Sequence, residues 1–352
     1  MSLSLPRRRA LGAALAGLAL PAVARAQPGP LTRIAFGSCA DQTNPQPVWD
    51  SVLAYRPDLF LFMGDNVYAD HMVRPADAQS LRAAYAATGE IEGHVRLRRD
   101  VPHLAVWDDH DYGQNDGGAD YALKEISKSI FLEFWQAPPD DPRRGRDGIY
   151  DSRLYGETGQ RVQVILLDIR WFKSPWRPTD SRNAPGKERY LPDDDPGKTI
   201  LGERQWAWLA AELRVPAELR VIVSSIQVLA DGHGWERWGN FPRQRQKLFD
   251  TLRASGANGV VLLSGDRHLG ALYKETRGTP YPLLEATSSG INKFFPDSRE
   301  EGSNRLGAVY GRPNFGTIDI DWREGRIALS IRDETGQPVR RTDARLAELK
   351  VV

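Results

Sequence analysis

The chain has 352 residues, of which 41% are hydrophobic and 26% are charged, a composition typical of an ordinary folded protein. Its 47 Lys and Arg residues nearly balance its 46 Asp and Glu residues, which argues against the broad basic surface of a nucleic-acid-binding protein. A single cysteine excludes a disulfide within the chain.

Residues 1–26 have the pattern of a signal peptide. Arginines at positions 7–9 precede a short, weakly apolar run, and Ala24-Arg25-Ala26 offers a cleavage site before Gln27. The run is too short to span a membrane, so no transmembrane anchor is predicted. We predict export to the periplasm or the cell exterior. The arginine pair favours the twin-arginine machinery, with the Sec machinery as the alternative. Residues 27–352 are predicted to form one domain.

Ten strand-like segments follow and predict an α/β fold. The first six are almost continuously apolar, which indicates strands buried on both faces in sheets covered by helices. The last four alternate and predict an antiparallel meander. The segments are 31–39, 58–65, 103–109, 161–169, 219–227, 259–265, 270–275, 283–288, 315–322 and 326–333.

Helical spacing of apolar residues predicts helices over 119–136, 203–213 and 243–255. Two long segments rich in Pro, Gly and charge, 137–148 and 174–200, are predicted as surface loops, either as binding loops or as plain decoration. A further segment, GHGWERWGNF, contains three large aromatic residues. We predict that they pack in the core, and the alternative is that they form a wall of the substrate-binding site. They are Trp235, Trp238 and Phe241.

Residues with metal-binding side chains follow four of the apolar segments. Because the carboxyl ends of buried strands hold ions and substrates in open α/β sheets, this pattern predicts a metallohydrolase. The residues are Cys39 at the end of the first segment, Asp65 and Tyr68 at and after the end of the second, Asp108, Asp109, His110 and Asp111 at and after the end of the third, and Asp266 and His268 after the sixth.

The residue types indicate particular ions. A phenolate such as that of Tyr68 suits ferric iron, and a thiolate at Cys39 suits iron or zinc, although a buried apolar thiol is the alternative there. Asp266 and His268 are two positions apart, so in extended chain both point to one side. His110, flanked by carboxylates, is a candidate general acid, with a surface helix cap as the alternative.

Six motifs, FGSC, GDNVY, WDDHD, LDIR, LGERQWAWL and SGDRH, occur in this order between Ile34 and Tyr273. Together they resemble the alkaline phosphatase D, or PhoD-like, family of the calcineurin-like metallophosphoesterases. The resemblance implies a four-layer αββα sandwich of two mixed sheets, with the site at the sheet ends. It also implies hydrolysis of small phosphate esters, either monoesters, diesters or both.

The resemblance further implies Fe3+ and Ca2+ as cofactors, with other divalent metals as the alternative. Arg170, in LDIR, is implied to bind a nonbridging phosphate oxygen, and a salt bridge to Asp168 or a loop carboxylate is the alternative. The implied ligands of iron are Cys39, Asp65, Tyr68 and one of Asp266 or His268, and those of calcium are Asp65, Asp109 and Asp266 with Asn115.

The predicted reaction is hydrolysis by a water or oxide activated by metal, with His110 or a second metal assisting the leaving oxygen. Two other classes of function stay open. One is a cysteine hydrolase in which Cys39 is the nucleophile and His110 or His268 the base. The other is a non-catalytic periplasmic protein that binds phosphate or metal.

Overall fold

The computed structural model describes residues 29–71 and 73–351, so the predicted signal peptide lies outside the described residues. The strands are β1 (Arg33–Gly37), β2 (Leu59–Met63), β3 (His103–Val106), β4 (Asp151–Tyr155), β5 (Val162–Leu166), β6 (Arg177–Pro178), β7 (Tyr190–Leu191), β8 (Leu219–Val223), β9 (Val260–Ser264), β10 (Gly270–Glu275), β11 (Leu283–Ser288), β12 (Asn314–Asp321), β13 (Arg326–Asp333) and β14 (Pro338–Arg345). The α-helices are α1 (Val48–Tyr55), α2 (Ala78–Thr88), α3 (Glu92–Asp100), α4 (Asp109–Tyr112), α5 (Lys124–Phe134), α6 (Gly202–Glu212) and α7 (Pro242–Ser255).

The first sheet has six strands in the order β14-β13-β12-β1-β2-β3. Strands β1, β2 and β3 are parallel, whereas β12 runs antiparallel to β1 and continues into the antiparallel pairs with β13 and β14. All five side chains of β2 are buried, as its apolar sequence predicts. Helix α1 covers this sheet through Trp49, whose ring lies 5.7 Å from that of Phe60.

The second sheet has the order β10-β11-β9-β8-β5-β4. Its central strands β11, β9, β8 and β5 are parallel, and β10 and β4 close its two edges as antiparallel strands. Helix α6 covers it through Gln205, whose side chain bonds both backbone groups of Asp168 at 2.9 and 2.7 Å. The two sheets pack face to face so closely that a Cβ added at Gly270 would lie 2.5 Å from Ile331. Two mixed sheets with covering helices confirm the predicted fold class.

The prediction of one terminal meander is wrong. Strands β10 and β11 belong to the second sheet, while β12 and β13 belong to the first. Alternation of apolar and polar residues reports which face of a strand is buried, and it carries no information about which sheet a strand joins. The pattern also missed β14, whose eight residues are all exposed or half-buried.

The site lies where the two sheets approach at the carboxyl ends of their parallel strands. A single parallel bridge between Ser38 and Ser289 connects the chain after β1 to the chain after β11. Within residues 29–71 and 73–351, none of the helices combines the length and apolar character needed to cross a membrane.

Candidate metal centre

Most of the residues singled out in the sequence lie in one continuous cluster. In the described part of the chain, potential ligand atoms form four groups, within each of which every atom lies within 4.8 Å of the others, and three of these groups consist of residues singled out in the sequence. Asp65 belongs to two of these three groups and Asp109 to two, so the groups join into one extended site. The groups are Cys39 with Asp65 and His268, Asp65 with Asp109 and His110, and Asp108 with Asp109 and Asp266.

The backbone turns sharply at the ends of three strands to present these side chains. Cys39, Asp65, Asp266 and His268 have φ angles of 61°, 49°, 67° and 56°, in the left-handed region that non-glycine residues seldom adopt. Such strain persists only where the surrounding structure enforces it, and it concentrates at functional sites. It also explains why β1 and β2 end before the residues at which the apolar pattern predicted their ends.

Gly64 allows the ends of β2 and β3 to meet. Its φ is 98°, and a Cβ at this position would lie 2.5 Å from the Cβ of Asp108. Only glycine combines that backbone angle with that close approach. The glycine in the GDNVY motif therefore brings Asp65 next to the WDDHD motif.

One half of the cluster contains the thiol and the phenol. The Tyr68 hydroxyl donates to Oδ2 of Asp65 over 3.1 Å and lies 3.1 Å from Nε2 of His268. Sγ of Cys39 lies 3.4 Å from the same Asp65 oxygen and 3.0 Å from Oγ of Ser289. Cys39 and Tyr68 are both buried, so their polar atoms contact these neighbouring side chains and not bulk water.

Without a cation, the anionic forms of these side chains are unfavourable. Burial, and then the charge of Asp109, raise the pKa of Asp65 well above its usual value. Burial, and then the charge of Asp65, raise the pKa of both Cys39 and Tyr68. A bound cation reverses this preference, because it stabilises carboxylate, thiolate and phenolate together.

The other half of the cluster consists of carboxylates. Burial raises the pKa of Asp266, and it raises that of Asp108 to about 7 even though Arg170 acts in the opposite direction. Oδ2 of Asp108 and Oδ1 of Asp109 are buried and have no hydrogen-bond partner among the described residues. Buried oxygens without partners are costly, and hard cations such as Ca2+ bind oxygen ligands of this kind. The donor set therefore fits metal ions.

His110 is held by a carboxylate that the sequence analysis did not identify. Its Nδ1 lies 2.6 Å from Oδ1 of Asp70, which follows the GDNVY motif. Burial alone lowers the pKa of His110, but the charges of Asp109, Asp65 and Asp70 outweigh it and raise the pKa well above its usual value.

Arg170 is fully buried, and its guanidinium group forms ion pairs with carboxylates. Its Nε lies 2.7 Å from Asp108, and its two terminal nitrogens bond Glu236 over 2.9 and 2.8 Å. Asp168, the alternative partner, instead accepts from the backbone N–H of Arg170. These contacts match the alternative of a salt bridge to a loop carboxylate, and contact with phosphate stays a prediction.

Asn115 is exposed, whereas the next residue points into the site. The backbone N–H of Asp116 donates to Oδ2 of Asp109 over 2.7 Å, and the carboxylates of Asp109, Asp116 and Glu236 form a fourth potential ligand group. Asp116 and Glu236 were missed because each is one acidic residue in a loop, with no pattern to mark it. The calcium role of Asn115 stays a prediction.

The sequence also gave no sign of Lys293. Its Nζ lies 3.8 Å from the centre of the Tyr68 ring, 3.6 Å from Asp41 and 3.2 Å from Nε2 of His71. It reaches this place because the chain after β11 passes beside Cys39. Lys293 is partly exposed and supplies the local positive charge that a chain with balanced composition needs in order to attract an anion.

These observations define a metallophosphatase-like α/β fold with a candidate metal centre at its sheet ends. A sequence model of the PhoD-like phosphatases matches residues 34–292, and the chain belongs to this family. Alkaline phosphatase D of Bacillus subtilis (strain 168) is 22% identical over 242 residues, which cover 62% of this chain and 40% of that protein. The chain thus spans well under half the length of this relative.

Two solved structures have a similar fold. A structure of PhoD superposes with a TM-score of 0.70 at 17% identity, over 93% of this chain and 70% of the other. The purple acid phosphatase PPD1 from yellow lupin (Lupinus luteus) seeds superposes with a TM-score of 0.58 at 11% identity, over 92% of this chain and 55% of the other. At these identities the similarity concerns the fold.

Proposed function

We propose that this protein is an exported, metal-dependent hydrolase of small phosphate esters. The observation that carries the proposal is the continuous cluster of buried ligand atoms from Cys39 through Asp65 and Asp109 to Asp266, including carboxylate oxygens without partners. Membership of the PhoD-like family and the fold of phosphatases support the same reaction class.

We assign Fe3+ to the thiol and phenol half, with Cys39, Asp65, Tyr68 and His268 as ligands. The contact between Tyr68 and His268 favours His268 over Asp266 there, and a thiolate with a phenolate suits iron better than calcium. We assign Ca2+ to Asp65, Asp109 and Asp266, with Asn115 as a further candidate. When bound, such cations polarise phosphoryl oxygens and lower the pKa of a coordinated water.

The other residues of the site have separate roles in this proposal. His110, oriented by Asp70, is placed to donate a proton to the leaving alcohol oxygen. Lys293 adds positive charge for the phosphate at the open side of the site. Arg170 neutralises Asp108 and Glu236 and so keeps the buried acidic wall in place.

The contacts around the thiol count against the cysteine-hydrolase alternative. Cys39 is fully buried, and burial raises its pKa, whereas a nucleophilic cysteine needs exposure and a lowered pKa. The candidate bases have other partners, because Nδ1 of His110 faces Asp70 and Nε2 of His268 faces Tyr68. These partners support a ligand role for the thiol.

The deciding experiment combines metal removal with thiol alkylation on purified protein. We expect hydrolysis of aryl phosphate monoesters or diesters at mildly alkaline pH, reversible loss of turnover with a calcium-selective chelator, and resistance to iodoacetamide. If the chelator has no effect while iodoacetamide abolishes turnover, Cys39 is the nucleophile and the proposal is wrong. If metal-loaded protein hydrolyses no ester, the non-catalytic binder is the better account.

The iron assignment has its own spectroscopic test. A phenolate bound to ferric iron gives a charge-transfer band in the visible, so the Tyr68→Phe variant should lose the band and most of the turnover. The matched control is Tyr121→Phe, which removes a hydroxyl that bonds the backbone oxygen of Ala76 outside the ligand groups. A colourless, fully active wild-type protein would refute the iron assignment.

A further inference from the structure

A groove with a volume of about 510 Å3 lies beside the candidate metal centre. It begins at Arg267, between the ligand candidates Asp266 and His268, and at Phe295, whose backbone N–H donates to the carbonyl of His268 over 2.9 Å. A molecule bound at the metal centre could therefore extend directly into this groove.

The groove has aromatic side chains next to the centre. The Phe295 ring lies 4.7 Å from the His268 ring, edge to face, and Phe295 is 50% exposed. Among the large hydrophobic side chains that are exposed in the described parts of the chain, it is the only aromatic one. Trp235 also lines the groove and is partly exposed, and the guanidinium groups of Arg189 and Arg267 lie 4.5 and 4.9 Å from the centre of its ring.

The charge of the groove limits what it can bind. Its lining carries more carboxylates than guanidinium groups, so a second anionic group on a ligand would be repelled here. One guanidinium, that of Arg267, is already paired with Glu300 and lies 3.8 Å from Asp266. The charged lining residues are Glu188, Asp297, Glu300, Glu301, Arg267 and Arg299.

Hydrogen bonds hold the walls of the groove in place. Glu301 pairs with Gly232 as an antiparallel bridge, which fastens the segment after Phe295 to the loop that carries Trp235. The backbone N–H groups of Arg189 and Tyr190 both donate to the carbonyl of Gly234, over 3.0 and 2.7 Å. Three residues of the segment 174–200 therefore belong to this wall, namely Pro185, Gly186 and Glu188.

We propose that the groove binds the alcohol portion of the phosphate ester and selects alcohols that are flat, apolar and free of negative charge. Phe295 provides the contact surface next to the scissile bond, and the acidic lining excludes alcohols that carry a carboxylate or a second phosphate. This inference rests on the proposed function, because it takes the metal centre as the place where the phosphate binds.

The test compares esters of alcohols with similar acidity, so that differences reflect the groove and not the leaving group. The substrates are benzyl, 4-carboxybenzyl and ethyl phosphate, each as the monoester or, if the enzyme prefers diesters, as the symmetric diester. We expect kcat/KM to be highest for the benzyl ester. Phe295→Ala should lower the benzyl-to-ethyl ratio by about three- to tenfold, the range expected for loss of one aromatic contact. Ile126→Ala, which truncates an exposed apolar side chain on α5, is the matched control and should keep the ratio.

Binding of benzylphosphonate and ethylphosphonate, measured by calorimetry on metal-loaded protein, provides a readout independent of turnover. Wild-type protein should prefer benzylphosphonate, and Phe295→Ala should reduce that preference by a similar factor. An unchanged preference in Phe295→Ala, or no discrimination against the 4-carboxybenzyl ester, would overturn the inference while leaving an active enzyme. Absence of turnover for every ester, with selective phosphonate binding retained, would instead refute the proposed function alone.

Discussion

Nδ1 of His110 lies 2.6 Å from Oδ1 of Asp70, and this contact joins the residue proposed as general acid to a buried carboxylate outside the ligand groups. The pair resembles the arrangement by which a carboxylate fixes the orientation and the charge of a catalytic imidazole. Its consequences can be measured without removing any of the proposed metal ligands.

Asp70→Asn should slow the hydrolysis of alkyl phosphate esters by about tenfold or more, and that of 4-nitrophenyl esters much less, because only a poor leaving group needs a proton from the acid. His110→Asn should give the same pattern with larger losses. Steady-state rates on both esters test this. Equal losses on both esters would mean that the pair serves a structural purpose.

Asp65→Asn should separate metal binding from the stability of the metal-free protein. Burial and Asp109 raise the pKa of Asp65, so its ionised form destabilises the metal-free fold at neutral pH. The neutral amide should raise the melting temperature of metal-free protein by roughly 2–4 °C, equivalent to about 1 kcal/mol, while metal content and turnover fall sharply. Calorimetry and elemental analysis measure the two effects, and Asp120→Asn, on the exposed surface, is the control. Unchanged metal content in Asp65→Asn would contradict the assignment.

Arg170→Met should destabilise the protein by about 3–5 kcal/mol, because the buried carboxylates of Asp108 and Glu236 lose their shared guanidinium and keep only weaker partners such as Ser225 and Lys173. The double variant Arg170→Met with Glu236→Met should recover part of this loss, since removing both charges costs less than leaving one unpaired. Urea unfolding of metal-free protein measures both. A stable Arg170→Met variant with a raised KM would instead favour the contact with phosphate that the sequence predicts.

His94 should make stability depend on pH. It is buried among aromatic rings, and burial, then the charge of Arg98, lower its pKa to about 3. The unfolded chain therefore takes up a proton below about pH 6.5 that the folded protein does not, and stability falls as the pH drops towards 3. Between pH 7 and pH 5 the loss from this residue is about 2 kcal/mol.

The His94→Leu variant should not show this part of the loss of stability between pH 7 and pH 5. Denaturant unfolding of both proteins at pH 7 and pH 5 gives the comparison. His103 is less buried, and burial lowers its pKa too, so His103→Leu should remove a smaller part of the loss than His94→Leu does. If wild type and His94→Leu lose the same stability between these two values, His94 takes up its proton in the folded protein.

The export prediction concerns residues outside the described structure. A metal centre built from distant parts of the chain is easier to load before translocation, and the twin-arginine machinery carries folded proteins. Replacing Arg7 and Arg8 by Lys should therefore leave folded, unprocessed precursor inside the cell, as detected by fractionation and immunoblotting. Normal processing of this double variant would indicate the Sec machinery.

The sequence was most informative where ligand candidates follow buried strands directly. Asp65 and Tyr68 lie within one short motif and are in contact, so local pattern was enough to group them. Asp266 and His268 belong to different ligand groups, because their backbone is left-handed and not extended. Contacts such as those of Glu236 with Arg170, or Lys293 with Tyr68, join residues 66 and 225 positions apart. No local pattern encodes such pairs, because the packing of the two sheets creates them.

The same limit applies to sheet membership. The continuously apolar strands were correctly expected to be buried, since burial on both faces leaves a mark on every residue. Strands β10 and β12 both show alternation of apolar and polar residues in the sequence, although they belong to different sheets. The difference between them depends on which neighbour completes each sheet, and that neighbour lies far away in the chain.

The pairing of β1 with β12 has a consequence for biosynthesis. Arg33 lies opposite Asp319, so the strand that leads to Cys39 waits for a neighbour 286 positions further along the chain. A nascent chain can pair β1 with β2 soon after both have been synthesised, yet it lacks β12, which begins 251 positions after the end of β2. The first sheet, and with it the pocket around the thiol, is therefore completed only after β12 has left the ribosome.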